Sequence, residues 1–241
     1  VKLGFILAVV TVIIIQGCAQ QTPLSPKGEA IFYALQADTM LRTWVSQCRD
    51  VSPSAHQAGL TARNNWWERN GSFVKGADFG LAYNIVTVTD TRAETGARLA
   101  MAMTWEVTER AEETVTRLMD KAGDEDGREE LCIKVLDQYN QGKWDLHGSD
   151  EIYSELVTLQ RRSVNDAEQL DLRRGMVELK TQRQYGRSLY VVEKLSKRQG
   201  CPNAEVQLLK GGWPYEIYDV TCQDDSHLLM RCEWGNCLIS Q

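Results

Sequence analysis

KRQGCPNAEVQLLK, running from Lys197 to Lys210, is where the apolar pattern of this chain changes period. Upstream, Met176, Leu179, Arg183, Tyr190, Val191 and Leu195 mark a last helix that ends before Gly200. Downstream, apolar residues alternate with polar neighbours: Val206, Leu208, then Tyr215, Ile217, then Leu228, Met230, Cys232. Gly211, Gly212, Pro214 and the pair Asp224, Asp225 interrupt that alternation, which predicts three or four short antiparallel strands. A sheet this small is marginal by itself and needs cross-links or a helical surface to pack on. The fold class that follows is mainly α: an antiparallel multi-helix bundle with a small C-terminal, disulfide-tied antiparallel β module.

Working back from Gly200, the period stays helical to about residue 29. Ile31, Ala34, Leu35, Leu41, Val45 and Cys48 form the buried stripe of a first helix. Ser52 followed by Pro53 opens a second, because serine caps free amides and proline suits a first turn. Asn70 and Gly71 are expected to end it. Phe73 to Val88 reads as a helix with a frayed end. Thr91 with Glu94 is a capping box ahead of a third long helix, from Ala97 to about Lys121. The acidic run Asp120 to Gly127 breaks that helix, Leu131 to Tyr139 mark a shorter one, and Ser149 caps another that extends to about Leu170.

The first 17 residues have a different use. Lys2 precedes an uncharged apolar run from Leu3 to Ile15, 13 residues long, which matches the apolar core of an export signal and falls short of a bilayer-spanning helix. Ile15, Gln16, Gly17 and Cys18 resemble the lipobox of bacterial lipoproteins, where cleavage precedes a cysteine carrying a diacylglycerol thioether. The resemblance implies lipidation (diacylglycerol, palmitate) of Cys18 and tethering to a membrane. Ala19 is not the aspartate that resembles an inner-membrane retention signal, which implies the periplasmic face of the outer membrane, with surface exposure left open. Residues 19 to 28 carry two prolines and read as a tether of about 30 Å if extended. The expected organisation is therefore signal peptide 1–17, lipid-attached tether 18–28, helical body 29–198 and cysteine-rich β module 199–241.

Setting Cys18 aside leaves six cysteines, an even number suited to an oxidising compartment. Two lie in the helical region, which predicts Cys48 with Cys132. Among the last four we favour Cys201 with Cys222 and Cys232 with Cys237, the latter closing the turn Glu233, Trp234, Gly235, Asn236. Structural zinc sites favour cysteine pairs about two to four residues apart, often twice. The intervals here are 20, 9 and 4 residues, so no metal is expected.

Loss of Lys2 leaves 26 basic and 33 acidic residues, and nothing in that balance points to nucleic acid. No serine-nucleophile elbow or phosphate-binding glycine loop occurs, and paired cysteines leave no reduced thiol for catalysis. No cofactor is expected. Asp145, His147, Asp150 and Glu151 share one loop, read as a helix lead-in; Asp124, Glu125, Asp126 and Gly127 read as an acidic turn. Carboxylate pairs such as Glu109 and Glu113 keep open a glycan-cleaving pair. The basic stretch from Arg173 to Arg198 could pair with acidic residues 120–130, or meet anionic lipid or a partner.

Aromatic residues give the binding candidates. Trp66 and Trp67 are adjacent on one helix and point about 100° apart, so one could face outward as an anchor. Trp213 and Trp234 crowd the small sheet. With catalytic motifs missing, the expected function is a non-enzymatic binding or adaptor lipoprotein of the cell envelope, facing an envelope protein or glycan and using these tryptophans. The alternatives are an envelope glycan or peptidoglycan hydrolase with a carboxylate pair, and a protective lipoprotein that inhibits a toxin or enzyme.

Overall fold

A computed structural model describes residues 24–240 except 182–185, 187, 213–214 and 234–235, with backbone alone for 88–101, 103–104, 178, 181, 212 and 236. The segment expected to act as an export signal, Cys18, Trp213 and Trp234 lie outside the described residues. The chain is mainly helical and ends in a four-stranded antiparallel sheet. Its elements are α1 (Pro26–Arg49), α2 (Pro53–Ala122), α3 (Glu125–Asn140), α4 (Asp150–Asn165), α5 (Ala167–Thr181) and α6 (Leu189–Arg198), followed by β1 (Glu205–Gly212), β2 (Tyr215–Thr221), β3 (His227–Glu233) and β4 (Asn236–Ser240).

Capping explains most helix starts. Ser25, Ser52, Asp124 and Ser149 each accept a hydrogen bond from a backbone N–H of the first turn. The Ser25, Pro26 start repeats the Ser52, Pro53 signal, so α1 begins three residues earlier than expected and takes Pro26 to Gly28 out of the tether. Asp124 caps α3, which makes Glu125 and Asp126 its first turn rather than part of a loop. The helix capped by Ser149 stops at Asn165, and α5 begins at Ala167, instead of one helix reaching Leu170.

Asn70 and Gly71 do not end a helix. The Asn70 side chain is buried, donates to the Trp66 carbonyl and to Asp145 Oδ1, and accepts from the Leu146 N–H. Its amide thus bonds a neighbouring loop instead of capping its own. Gly71 is small because the Trp67 ring lies across it: a Cβ there would stand 2.5 Å from Trp67 Cε3.

The run from Pro53 to Ala122 is 70 residues, about 105 Å if straight. Its ends nevertheless meet. Met119 Sδ is 4.0 Å from Cys132 Sγ, Cys132 is bonded to Cys48, and Ala55, Ala62, Val115 and Met119 share one core. The direction of α2 therefore reverses between a first limb, 53–86, and a second, 105–122. The first runs antiparallel to α1, as shown by Gly59 against Val45, Trp67 against Asp38 and Gly80 against Ile31. The second passes Phe32, whose ring lies beneath Arg110. The helix boundary expected between Val88 and Thr91 falls inside the reversing stretch. At Gly76 the first limb approaches α4 so closely that a Cβ would be 2.5 Å from the Gln160 nitrogen.

The sheet is a meander in the order β1, β2, β3, β4. Tyr218, Val220, Met230 and Cys232 are its buried apolar side chains among the described residues, and Val192 of α6 packs with them. Cys232 and Cys237 face each other in register across β3 and β4 and are bonded, while Cys201 bonds Cys222. With Cys48 to Cys132, these are the pairings the sequence favours. The expected single last helix is instead α5 and α6, and the sheet contacts Gly186 and Ser188 just ahead of α6. Ser188 N–H and Tyr218 Oη–H both donate to Glu216 Oε2, at 2.9 and 3.0 Å, and a Cβ at Gly186 would collide with the Tyr218 hydroxyl.

Candidate functional site

Where the sheet meets the helices, a cleft of about 790 Å³ opens. Helical spacing supplies its walls: Arg42, Val45 and Arg49 from α1, His56, Leu60 and Arg63 from the first limb of α2, and Trp105, Thr108 and Glu112 from the second. Arg231 and Glu233 come from β3. Four arginines thus face two glutamates.

Arg42 is the deepest of these cations, with a side chain only 10% exposed. Its Nε donates to Asp38 Oδ2 at 2.8 Å, its Nη1 donates to the Glu233 carbonyl at 3.4 Å, and its guanidinium lies over the Trp67 ring. Trp67 Nε1 donates to the other Asp38 oxygen at 2.8 Å. The remaining Arg42 nitrogen, Nη2, is buried and has no hydrogen-bond partner among the described residues. A buried unpaired donor is costly, more so on a cation, and is satisfied best by an anionic acceptor. Burial pushes the Asp38 carboxyl above its ordinary range, against the opposing pull of Arg42 and Trp67. Burial also raises the Tyr139 phenol, with the Asp38 charge adding to it.

The cleft's carboxylates are each tied to an arginine. Glu233 lies 3.7 Å from Arg63, and Glu112 lies 3.5 Å from Arg198, whose guanidinium sits 4.3 Å from the centre of the Trp105 ring. Arg231 is exposed on β3. The arrangement can hold a carboxylate or phosphate: four arginine side chains line one cleft and together attract an anionic group.

Of the four tryptophans expected to make contacts, Trp213 and Trp234 lie outside the described residues, and Trp66 does not face outward. Trp66 is fully buried, with Nε1 donating to the Trp144 carbonyl at 2.9 Å. Trp67 is half-buried between α1 and α2, engaged with Asp38 and Arg42. The 100° between them is absorbed because helices pack on both sides. The loop at His147 is structural: Asp145 accepts from Arg69 and Asn70, and the His147 ring lies near Tyr153. Of the basic stretch, Arg198 pairs with Glu109 and Glu112 of α2 rather than with residues 120–130. Among the described residues no group of three or more His, Cys, Asp or Glu could hold a metal ion.

Sequence reasoning passed over Asp38, Arg42, Arg63 and Arg231. One signal was visible: Asp38 falls on the apolar stripe of α1 with Arg42 four residues later, a carboxylate where burial was expected. Comparison with protein-family models, with characterised proteins and with solved structures finds no match to this chain.

Proposed function

We propose that this is a lipid-anchored envelope protein whose arginine cleft binds, without catalysis, a polymer bearing carboxylate or phosphate groups. In this reading Cys18 carries the lipid, the chain faces the periplasm from the outer membrane, and the helical body is an antiparallel bundle on which the sheet forms one wall of the cleft. The partner is an acidic segment of an envelope protein or a carboxylate-bearing glycan. The observation that carries the binding reading is a single cleft in which four arginines, Arg42, Arg49, Arg63 and Arg231, meet only two glutamates. A hydrolase would need a carboxylate pair across a cleft. The two glutamates in this one are each engaged by an arginine, which favours binding.

Calorimetric titration of the mature protein with peptidoglycan stem-peptide fragments, with Glu-rich peptides and with their neutral amide analogues tests the site. The acidic forms should bind and the amides should not, and Arg231→Glu or Arg49→Glu should weaken binding at least about ten-fold, a change of about 1.4 kcal/mol. Equal binding of acid and amide forms, or indifference to both substitutions, would sink the reading. For the anchor, Cys18→Ser should abolish acyl labelling and release the protein from membranes; continued labelling would overturn that half.

A further inference from the structure

α5 is amphipathic twice over. Leu170 and Val177 are buried against Phe79, Ala82 and Val86 of α2. On the far side Leu172, Met176 and Leu179 recur at four and three residues and are 65%, 69% and 75% exposed, one outward apolar stripe along a helix about 22 Å long. Single exposed apolar residues are ordinary, but a stripe of three on one helical face marks a contact surface.

Three neighbouring observations say what covers it. First, α5 sits at the end of the molecule where the chain leaves for its N-terminus: Arg173 donates to the Tyr83 hydroxyl at 2.8 Å, and Lys27, in the first turn of α1, lies 5.8 Å from the centre of the same Tyr83 ring. Second, only seven residues lie between Cys18 and Pro26, eight Cα–Cα steps and at most about 29 Å of extended chain. A membrane anchor at Cys18 therefore keeps this end of the body within reach of the lipid surface. Third, cations gather here. Lys27, Arg162 and Arg173 all approach the Tyr83 ring, Arg162 at 4.9 Å while also paired with Asp166 at 2.9 Å, Arg173 at 5.2 Å from the ring centre, and Lys180 lies on the same flank of α5 as Arg173. The opposite flank carries Glu168 and Asp171, and Asp171 is paired with Arg174. The helix therefore has one basic edge beside its apolar stripe, the polarity that suits anionic headgroups next to acyl chains.

We propose that α5 is a second membrane contact, lying along an anionic lipid surface with Leu172, Met176 and Leu179 in the interface and the cations around Tyr83 against headgroups. This rests on the reading that Cys18 anchors the chain. It fixes the orientation of the body on the membrane, which a lipidated cysteine on a tether does not.

The test uses two preparations. The lipid-free chain from Ala19 onward, which retains every described element, is floated with vesicles of phosphatidylethanolamine and phosphatidylglycerol and with vesicles of phosphatidylcholine alone. It should bind the anionic vesicles and lose at least about ten-fold in partitioning with the paired substitution Leu172→Asp and Met176→Asp, whereas Leu229→Asp, at an exposed site on β3 outside the lining of the arginine cleft, should change nothing. Unchanged circular dichroism and melting temperature establish that the variants are folded. In the lipidated protein on the same vesicles, a photoreactive residue placed at Met176 should cross-link to lipid, and one placed at Ile133 should not. Equal cross-linking at both positions, no lipid adduct at Met176, or a stripe-dependent dimer of the lipid-free chain would overturn the proposal. Loss of the Cys18 anchor would show separately as missing acyl label, with vesicle binding by the lipid-free chain unaffected.

Discussion

The helical body and the C-terminal sheet reach stability by different means. The body's main core fully buries large side chains such as Trp66, Leu41, Leu136 and Leu156, and a disulfide in it joins residues 84 apart. The sheet buries few side chains and carries two disulfides across separations of 21 and 5 residues. Packed area does in the first what covalent closure does in the second, as expected when a four-stranded sheet exposes one face to solvent.

Core truncation should separate the two regions most. Trp66→Ala removes a fully buried indole and leaves the Trp144 carbonyl without its donor. The expected loss is about 4 to 5 kcal/mol by chemical denaturation, with helical and sheet signals lost together because α6 and the cleft wall rest on the body. Met230→Ala, the matching deletion in the sheet, should cost about 3 kcal/mol and release β3 first in amide exchange. A sheet that stays protected while the body of Trp66→Ala melts would break the comparison, since the sheet would then be self-sufficient.

Disulfide removal gives the next effects. In the chain-entropy model the three closures contribute about 4.5, about 3 and about 2 kcal/mol for Cys48 to Cys132, Cys201 to Cys222 and Cys232 to Cys237. Replacing Cys48 and Cys132 by Ala should therefore lower stability most while leaving a folded chain. Replacing both rear pairs should abolish the near-ultraviolet signature of Tyr218 and protection in β2 with helical ellipticity kept. If the rear replacements cost the helices as much as the front one does, the sheet is part of the body's core rather than an attachment to it.

The two regions also differed in what the sequence disclosed. The sheet was legible because period-2 alternation and turn residues are local, and the even cysteine count limited the cross-links. Ser52, Ser149 and the stripe of α1 were legible for the same reason. The continuation of α2 through Asn70 and the breaks between Asn165 and Leu189 were not, because tertiary partners decide them. Asn70 bonds the loop at Asp145 and Leu146, and Glu216, some 28 residues downstream, holds Ser188. The cleft was hidden for a further reason: its arginines come from α1, α2 and β3, and no spacing along the chain links Arg42 to Arg231. Trp66 and Trp67 misled because a helix packed on two sides buries residues 100° apart.

Acidity distinguishes the regions through one buried carboxyl. The folded-state pKa of Asp38 is raised above its ordinary 3.8, chiefly by burial. Its contribution to stability is therefore complete below 3.8 and lost as pH rises through the folded value. Asp50 and Asp224 have lowered values, through Arg49 and Ser226 respectively, and act in the opposite sense: their contribution is present above 3.8 and lost on acidification. Denaturation of the wild type and Asp38→Asn across a pH series should give a difference that favours the wild type least at high pH. A flat difference, or one that rises with pH, would mean that Arg42 and Trp67 outweigh burial.

The smallest effect expected belongs to the sheet's own ion pair. His227 Nδ1 lies 3.0 Å from Asp219 Oδ1 across β2 and β3, but the histidine side chain is 59% exposed, so solvent screens the pair. Asp219→Asn should change stability by less than about 1 kcal/mol, and added salt should shrink even that. Asp38→Ala makes a similar deletion in the body, where Arg42 would keep its charge in a buried position without a carboxylate; about 3 to 5 kcal/mol should go. Measured side by side, the two substitutions separate an ion pair that organises a site from one that only decorates a strand. If Asp219→Asn proved as costly as Asp38→Ala, surface electrostatics rather than disulfide closure would be holding the sheet.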